Sequence, residues 1–283
     1  MERKRVKGKY VCGAVALLLC GLLFADDLGR IRDRGERREA EILVFGDSVS
    51  GEIRDETAVP ARLGEILGAT VYNAAFGGAC AARIEQDKPL DYTRGVFSLV
   101  SLTKAAEADD FGVQQSVIMR ESNTEYFAEV IDGLAEVDFS GVKTIVIQYG
   151  LNDYHAGVPL DNQEDPYDEY TFLGALRTAV RSLKKASPQA RIVLVTPTFT
   201  WYRTSGLTCE EVDYGGGFLE EYVDAEIGLA GEMGIDVVDL YHDFWPHEKW
   251  EDWELYSRDG MHPNEVGREK MASEIAEYLK DFL

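Results

Sequence analysis

The chain has 283 residues, 45% of them hydrophobic, and a net charge of -22. That length fills the core of one α/β domain, with no internal repeat or low-complexity tract. So acidic a surface argues against nucleic acid as a partner, and against docking on anionic lipid by charge alone.

The first 25 residues read as separate from the fold. Arg3, Lys4, Arg5, Lys7 and Lys9 form a basic stretch, and residues 11–25 are an apolar run broken only by small residues. This is the pattern of a secretory signal peptide or a short signal-anchor. The run is shorter than the roughly 20 residues needed to span a bilayer, which favours cleavage. Leu23-Phe24-Ala25 is, however, a poor small-x-small cleavage site, and Leu19 before Cys20 does not suit a lipobox. Either way the basic end stays inside. The expected location is therefore secreted, or anchored to the outer face of the plasma membrane. Without these residues the charge is about -26. Residues 26–40 read as a charged linker and 41–283 as the folded domain.

Within 41–283, strand and helix patterns alternate. Strands are expected at 41–45, 71–73, 144–148, 191–196 and 236–240. The third is rich in β-branched residues and reads as buried on both faces. Helices are expected at 61–67 with Pro60 near the start, at 168–185 closed by Ser187-Pro188, at 217–233 ended by Gly234, and at 265–283 behind Asn264 as cap. Residues 96–137 carry helical periodicity in two or three pieces, so the stretch 79–140 places extra helices beside the site. The alternation implies a parallel sheet with right-handed crossovers and a ligand crevice at the carboxyl ends of its strands. The first strand is followed by neither G-x-G-x-x-G nor a phosphate-cradling G-K-S/T, which weakens a nucleotide reading. The chain also lacks a G-x-S-x-G elbow.

Four pieces at the strand ends carry chemistry. Gly46-Asp47-Ser48-Val49-Ser50 supplies a hydroxyl after the first strand; it is also an ordinary helix-capping turn. Asp259-Gly260-Met261-His262-Pro263 supplies a carboxylate and an imidazole three residues apart; its plain reading is a turn before the last helix. A serine hydroxyl becomes a good nucleophile when a base takes its proton and a third group orients that base. Ser48, Asp259 and His262 offer that set. Tyr72-Asn73-Ala74-Ala75-Phe76-Gly77-Gly78-Ala79 brings glycines that let a backbone N–H approach a ligand. Tyr149-Gly150-Leu151-Asn152-Asp153 brings a carboxamide able to donate to an oxyanion. A flexible turn and an Asx-turn are the plain readings of those two.

With all four in this order, the chain resembles the SGNH hydrolases, also called GDSL-type esterases and lipases. The family's Ser, Gly, Asn and His blocks match Ser48, Gly78 (with Gly77 beside it), Asn152 and His262, and Asp259 matches the family Asp. Val49-Ser50 stands where the name motif has Leu, and Leu151 where many members have Thr or another small polar residue. Neither departure touches a group that does chemistry. The resemblance implies a flavodoxin-like three-layer sandwich with a five-stranded parallel sheet in the order 2-1-3-4-5. It also implies Ser48, His262 and Asp259 as the triad, with the N–H groups of Ser48 and Gly78 and the Asn152 side chain as the oxyanion hole.

Asp47 reads as a cap and Asp153 as a turn-forming support for Asn152. His242 and His247 read as surface or satisfied polar residues. Tyr149, His155, Trp201 and Tyr202 are candidate substrate contacts, with Trp245, Trp250, Trp253 and Tyr256 crowding the approach to His262. Aromatic faces beside polar edges suit sugar rings or simple loop packing alike. With no long apolar lid apparent, the expected reaction is hydrolysis of a short acyl ester, foremost an O-acetyl group on extracellular or cell-surface carbohydrate. The alternatives are a lipase or lysophospholipase, and a silent binding or scaffold domain. The expected partner is a small-molecule or polysaccharide ester, with membrane contact only through the N-terminal segment. No metal and no cofactor is expected, because no Cys/His cluster has ligand spacing. Cys80 and Cys209 follow strands three steps apart, roughly 14 Å, too far for a bridge unless their loops reach across.

Overall fold

The computed structural model describes residues 37–84, 94–119 and 124–282. The expected signal segment, and the linker up to residue 36, lie outside the described residues. The chain enters the folded unit at Arg38, which bridges Val137.

The sheet forms where apolar residues run consecutively. Ile42–Gly46 (β1) and Thr144–Gln148 (β3) are buried along their whole length, as strands covered on both faces must be. Val71–Ala75 (β2), Arg191–Val195 (β4) and Asp236–Val238 complete it. A two-stranded hairpin, Trp201–Tyr202 (β5) and Leu207–Thr208 (β6), intervenes before that last strand, which is therefore β7. The parallel order is β2-β1-β3-β4-β7, the expected one once the hairpin is counted apart.

Helices cover both faces. They are α1 (Ser48–Gly51), α2 (Val59–Leu67), α3 (Leu99–Ala108), α4 (Gly112–Gln115), α5 (Phe127–Glu136), α6 (Leu151–His155), α7 (Phe172–Ala186), α8 (Leu219–Met233), α9 (Trp253–Tyr256) and α10 (Glu265–Leu279). One group joins α2 to α10, and another runs from α3 through α7 to α8. With the sheet between, these are the layers of a flavodoxin-like sandwich. Thr171 caps α7 by accepting from Gly174 N–H at 3.3 Å, and Asn264 caps α10 by accepting from Gly267 N–H at 2.9 Å. Among the described residues no helix is long and apolar enough to cross a membrane.

Register fixes the site. Gly46 lies level with Ala75 on one side and Gln148 on the other. The first three strands therefore end together, and Ser48, Gly78 and Asn152 all emerge at the carboxyl end of the sheet.

Candidate active site

Ser48 opens α1, the short helix after β1. Asp47 caps it, accepting from Val49 N–H at 2.9 Å. The carboxylate partner of His262 comes from the far end of the chain. In the loop 257–263, the Ser257 hydroxyl accepts from Gly260 N–H at 2.8 Å and donates to the His262 carbonyl at 2.9 Å. Asp259 Oδ1 accepts the backbone N–H groups of Met261 at 3.0 Å and of His262 at 2.7 Å. Its Oδ2 lies 2.8 Å from His262 Nδ1, and His262 Nε2 lies 3.0 Å from Ser48 Oγ. A carboxylate only accepts, so Nδ1 carries the proton and Nε2 is left to accept from the serine hydroxyl. Burial works to raise the Asp259 pKa, but the hydrogen bonds from His262 outweigh it and hold the group below its ordinary value.

Gly77 and Gly78 divide their work. Gly77 N–H is taken by the Tyr126 hydroxyl at 2.8 Å. Gly78 has φ +73°, and a β-carbon there would meet nothing within 4 Å. Its N–H, like that of Ser48, has no acceptor among the described residues. Asn152 Nδ2 donates to Asp47 Oδ2 at 3.2 Å. An amide nitrogen carries two hydrogens, so that contact fixes the orientation and leaves one free. Burial pushes the Asp47 carboxyl up to about 6, against the pull of the Val49 N–H and the His262 charge.

Asp153 is fully enclosed. Its two oxygens accept from Ala81 N–H at 2.8 Å and Ala82 N–H at 2.9 Å. One carboxylate thus ties the loop after Gly78 to the helix bearing Asn152. Burial pushes its pKa up to about 7. Sequence reasoning placed Asp153 as a support; its two backbone partners are long-range and invisible to local pattern.

Beside His262 opens a pocket of about 570 Å³, lined by Trp201, Tyr202, Arg203, Tyr214, Asp259 and Met261, among others. Trp201 lines it while only 2% exposed, because its ring packs on Phe199 with centroids 4.7 Å apart. The Tyr202 hydroxyl lies 2.8 Å from His155 Nε2, so His155 stands behind the wall rather than in it. Burial lowers the His155 pKa to about 4. Tyr149 is the clear correction. It is 1% exposed, its hydroxyl is enclosed without a hydrogen-bond partner, and it faces the core beneath the site. Trp245 is also buried, stacked on Tyr256 at 5.7 Å, while Trp253 lies under Arg203. Tyr126, Arg203 and Tyr214 were missed in the sequence, since no motif contains them.

Elsewhere, Asp239 and His242 repeat the Asp-x-x-His turn. His242 Nδ1 is 2.8 Å from Asp239 Oδ2, but its Nε2 meets Asp224 at 3.7 Å and Glu220 at 3.9 Å rather than a hydroxyl. Cys80 and Cys209 are buried and not bonded to each other. No group of three or more His, Cys, Asp or Glu among the described residues is arranged to hold a metal ion.

A parallel α/β sandwich with its polar residues gathered at the carboxyl ends of the strands defines a class of ligand-handling folds. Within it, this chain belongs to the GDSL-like lipase/acylhydrolase family, whose model matches residues 44–270. That is a family of ester-hydrolysing enzymes. A GDSL esterase/lipase of Arabidopsis thaliana is 28% identical over 146 residues, covering 48% of this chain and 58% of the plant protein. The chain thus spans little more than half of that relative. Among solved structures, a possible lipase from Chitinophaga pinensis has a TM-score of 0.55 at 19% identity, over 85% of this chain and 97% of that one. A carbohydrate acetylesterase from Sinorhizobium meliloti has a TM-score of 0.52 at 12% identity, over 87% and 100%. Identities this low speak for the shared fold alone.

Proposed function

We propose that this chain is a serine esterase that removes short acyl groups, foremost acetyl, from carbohydrate. The observation that carries the reading is the unbroken hydrogen-bonded series Ser48–His262–Asp259, with spacings of 3.0 and 2.8 Å, at the wall of an aromatic-lined pocket. His262 Nε2 takes the serine proton as Oγ attacks the ester carbonyl. Asp259 holds the imidazole by Nδ1 and stabilises the imidazolium. The oxyanion is held by the N–H groups of Ser48 and Gly78 and by the second Asn152 hydrogen. Each such donor contributes about 2.7–4 kcal/mol in the transition state. His262 then protonates the leaving alcohol, and water repeats the cycle on the acyl-enzyme.

Tyr202 and Tyr214 on the pocket wall support a sugar ring as the alcohol part, since an aromatic face packs on C–H groups. The lipid reading makes the opposite demand. Each methylene buried in an acyl groove adds about 0.8 kcal/mol, so a lipase improves steeply with chain length. The deciding experiment is a series of p-nitrophenyl esters from two to ten carbons with wild type and Ser48→Ala. We expect a maximum at two to four carbons and loss of turnover in the variant with the fold intact by circular dichroism. A specificity constant rising through eight carbons would promote the lipid reading. Turnover retained in the variant would point to a different nucleophile, and none in the wild type would leave the scaffold reading. Export through residues 1–25 is part of the same proposal, supported by sequence alone. Finding the chain outside the cell, with or without those residues, is its test.

A further inference from the structure

Arg203 stands where a substrate bound at His262 would extend, and no carboxylate answers it. It lies in the turn between β5 and β6, exposed, and lines the pocket together with Asp259, Met261 and His262. The chain has 51 Asp and Glu against 29 Lys and Arg. Several arginines find partners among that excess, Arg177 with Asp161 at 2.7 Å, Arg191 with Asp236 at 2.5 Å and Arg258 with Glu52. Arg181, over the Tyr167 ring, is like Arg203 without one among the described residues but lies outside the pocket lining. Arg203 forms no ion pair among the described residues. Its guanidinium instead lies 4.5 Å over the ring of Trp253. That contact engages no hydrogen-bond donor of the guanidinium, and a guanidinium with its donors unspent can receive a carboxylate or phosphate in two parallel hydrogen bonds.

The hairpin that carries Arg203 is also anchored to the loop that carries His262. Trp201 N–H donates to the Gly260 carbonyl at 2.9 Å, and Cys209 N–H closes the hairpin's base on the Thr200 carbonyl at 3.0 Å. The cation and the imidazole are thus held on one backbone framework. A chain with a net charge of -22 repels anions at long range. An acidic substrate would need such a local cation to settle.

We infer that Arg203, packed on Trp253, binds an anionic group on the alcohol side of the ester, so that the substrate is an acidic acylated sugar. This rests on the esterase reading above and narrows it. The shared chemistry is a carboxylate or a phosphate, and the test separates them. Three matched acetyl esters serve as probes: of methyl glucoside, of methyl glucuronoside and of glucose 6-phosphate. Wild type, Arg203→Gln and Arg203→Lys are assayed on each, with p-nitrophenyl acetate beside them.

The wild type is expected to have a lower KM for an acidic ester than for the neutral one, and the preferred acid identifies the group. Arg203→Gln should cut the acidic-to-neutral ratio of kcat/KM about tenfold, through KM, the loss of one charge-assisted contact. Arg203→Lys should recover part of it, since the charge remains. A wild-type ratio of one or less, or a ratio unmoved by Arg203→Gln, overturns the inference. So does an equal loss on all esters with a lower melting temperature, which would make Arg203 a clamp on the hairpin only. Absence of p-nitrophenyl acetate hydrolysis by the wild type would remove the esterase reading itself. Hydrolysis without acid preference would remove only the role of Arg203.

Discussion

Asp47→Asn should make the protein more stable and much less active, and both effects follow from one contact. The Asp47 carboxyl is fully buried, with a pKa raised to about 6 from an ordinary 3.8. Keeping it ionised above that pH costs about 3 kcal/mol of folding free energy. The sign follows from proton counting. Between about pH 4 and 6 the folded state binds more protons than the unfolded one, so wild-type stability falls as pH rises through that window. An asparagine has nothing to ionise and escapes the loss. Its carbonyl can still accept from Val49 N–H, but its amide then faces the Asn152 amide, two donors 3.2 Å apart in the native arrangement. Subtracting about 1 kcal/mol for that mismatch leaves a gain of about 2 kcal/mol at pH 8, which disappears by pH 4. The mismatch is relieved if Asn152 turns its carbonyl toward residue 47, and both of its hydrogens then leave the oxyanion position. The expected loss in kcat is about 10²–10³. Denaturant unfolding at pH 8 and pH 4, with kcat on p-nitrophenyl acetate at pH 8, measures both. A variant less stable than wild type at pH 8, or one whose kcat stays within threefold, would refute the reasoning.

His262→Gln should abolish turnover while His242→Gln keeps it within about twofold, because only His262 faces a hydroxyl; equal losses in the two would show that the Asp-x-x-His turn matters for folding alone. His155 has a pKa lowered to about 4 from 6.5, chiefly by burial. The unfolded chain therefore binds the extra proton between those values, and wild-type stability drops by about 3 kcal/mol as pH falls from 6.5 to 4. His155→Gln should lack that component, which unfolding titrations of the two proteins would reveal; parallel curves would contradict it. Gly260 has φ +93°, and a β-carbon would sit 2.3 Å from the Trp201 carbonyl oxygen. Gly260→Ala should lower stability by about 2 kcal/mol or more and weaken turnover, by thermal melting and the same ester assay. Unchanged melting would mean that the hairpin is not tied to the His262 loop as described.

The central strands β1, β3 and β4 were legible because consecutive apolar residues bury both faces, and the motif residues were legible because parallel strands end level with one another. Other features depend on meetings that no local pattern encodes. The β5–β6 hairpin has two residues in each strand, too few to show a period. Tyr149 follows β3 directly and was expected at the rim, yet its ring continues into the core. Gly77 and Gly78 are equivalent in sequence; the Tyr126 hydroxyl, 49 positions away, separates them by taking the Gly77 N–H. Asp239–His242 and Asp259–His262 have the same spacing and the same turn, and differ only in what the outer nitrogen meets.

Ser48 and His262 are 214 positions apart, and α10, the last helix, packs on α2, the next helix after the one that Ser48 opens. A chain leaving the ribosome has therefore made its hydroxyl long before its imidazole exists. Contacts this distant in sequence form late, since the intervening loop must close first. On the proposed mechanism the partly made protein is chemically quiet, because the Ser48–His262 contact needs the C-terminal segment in place. Gain of reactivity toward a serine-directed probe would consequently report completion of folding, and any truncation before residue 262 would leave a chain that never acquires it.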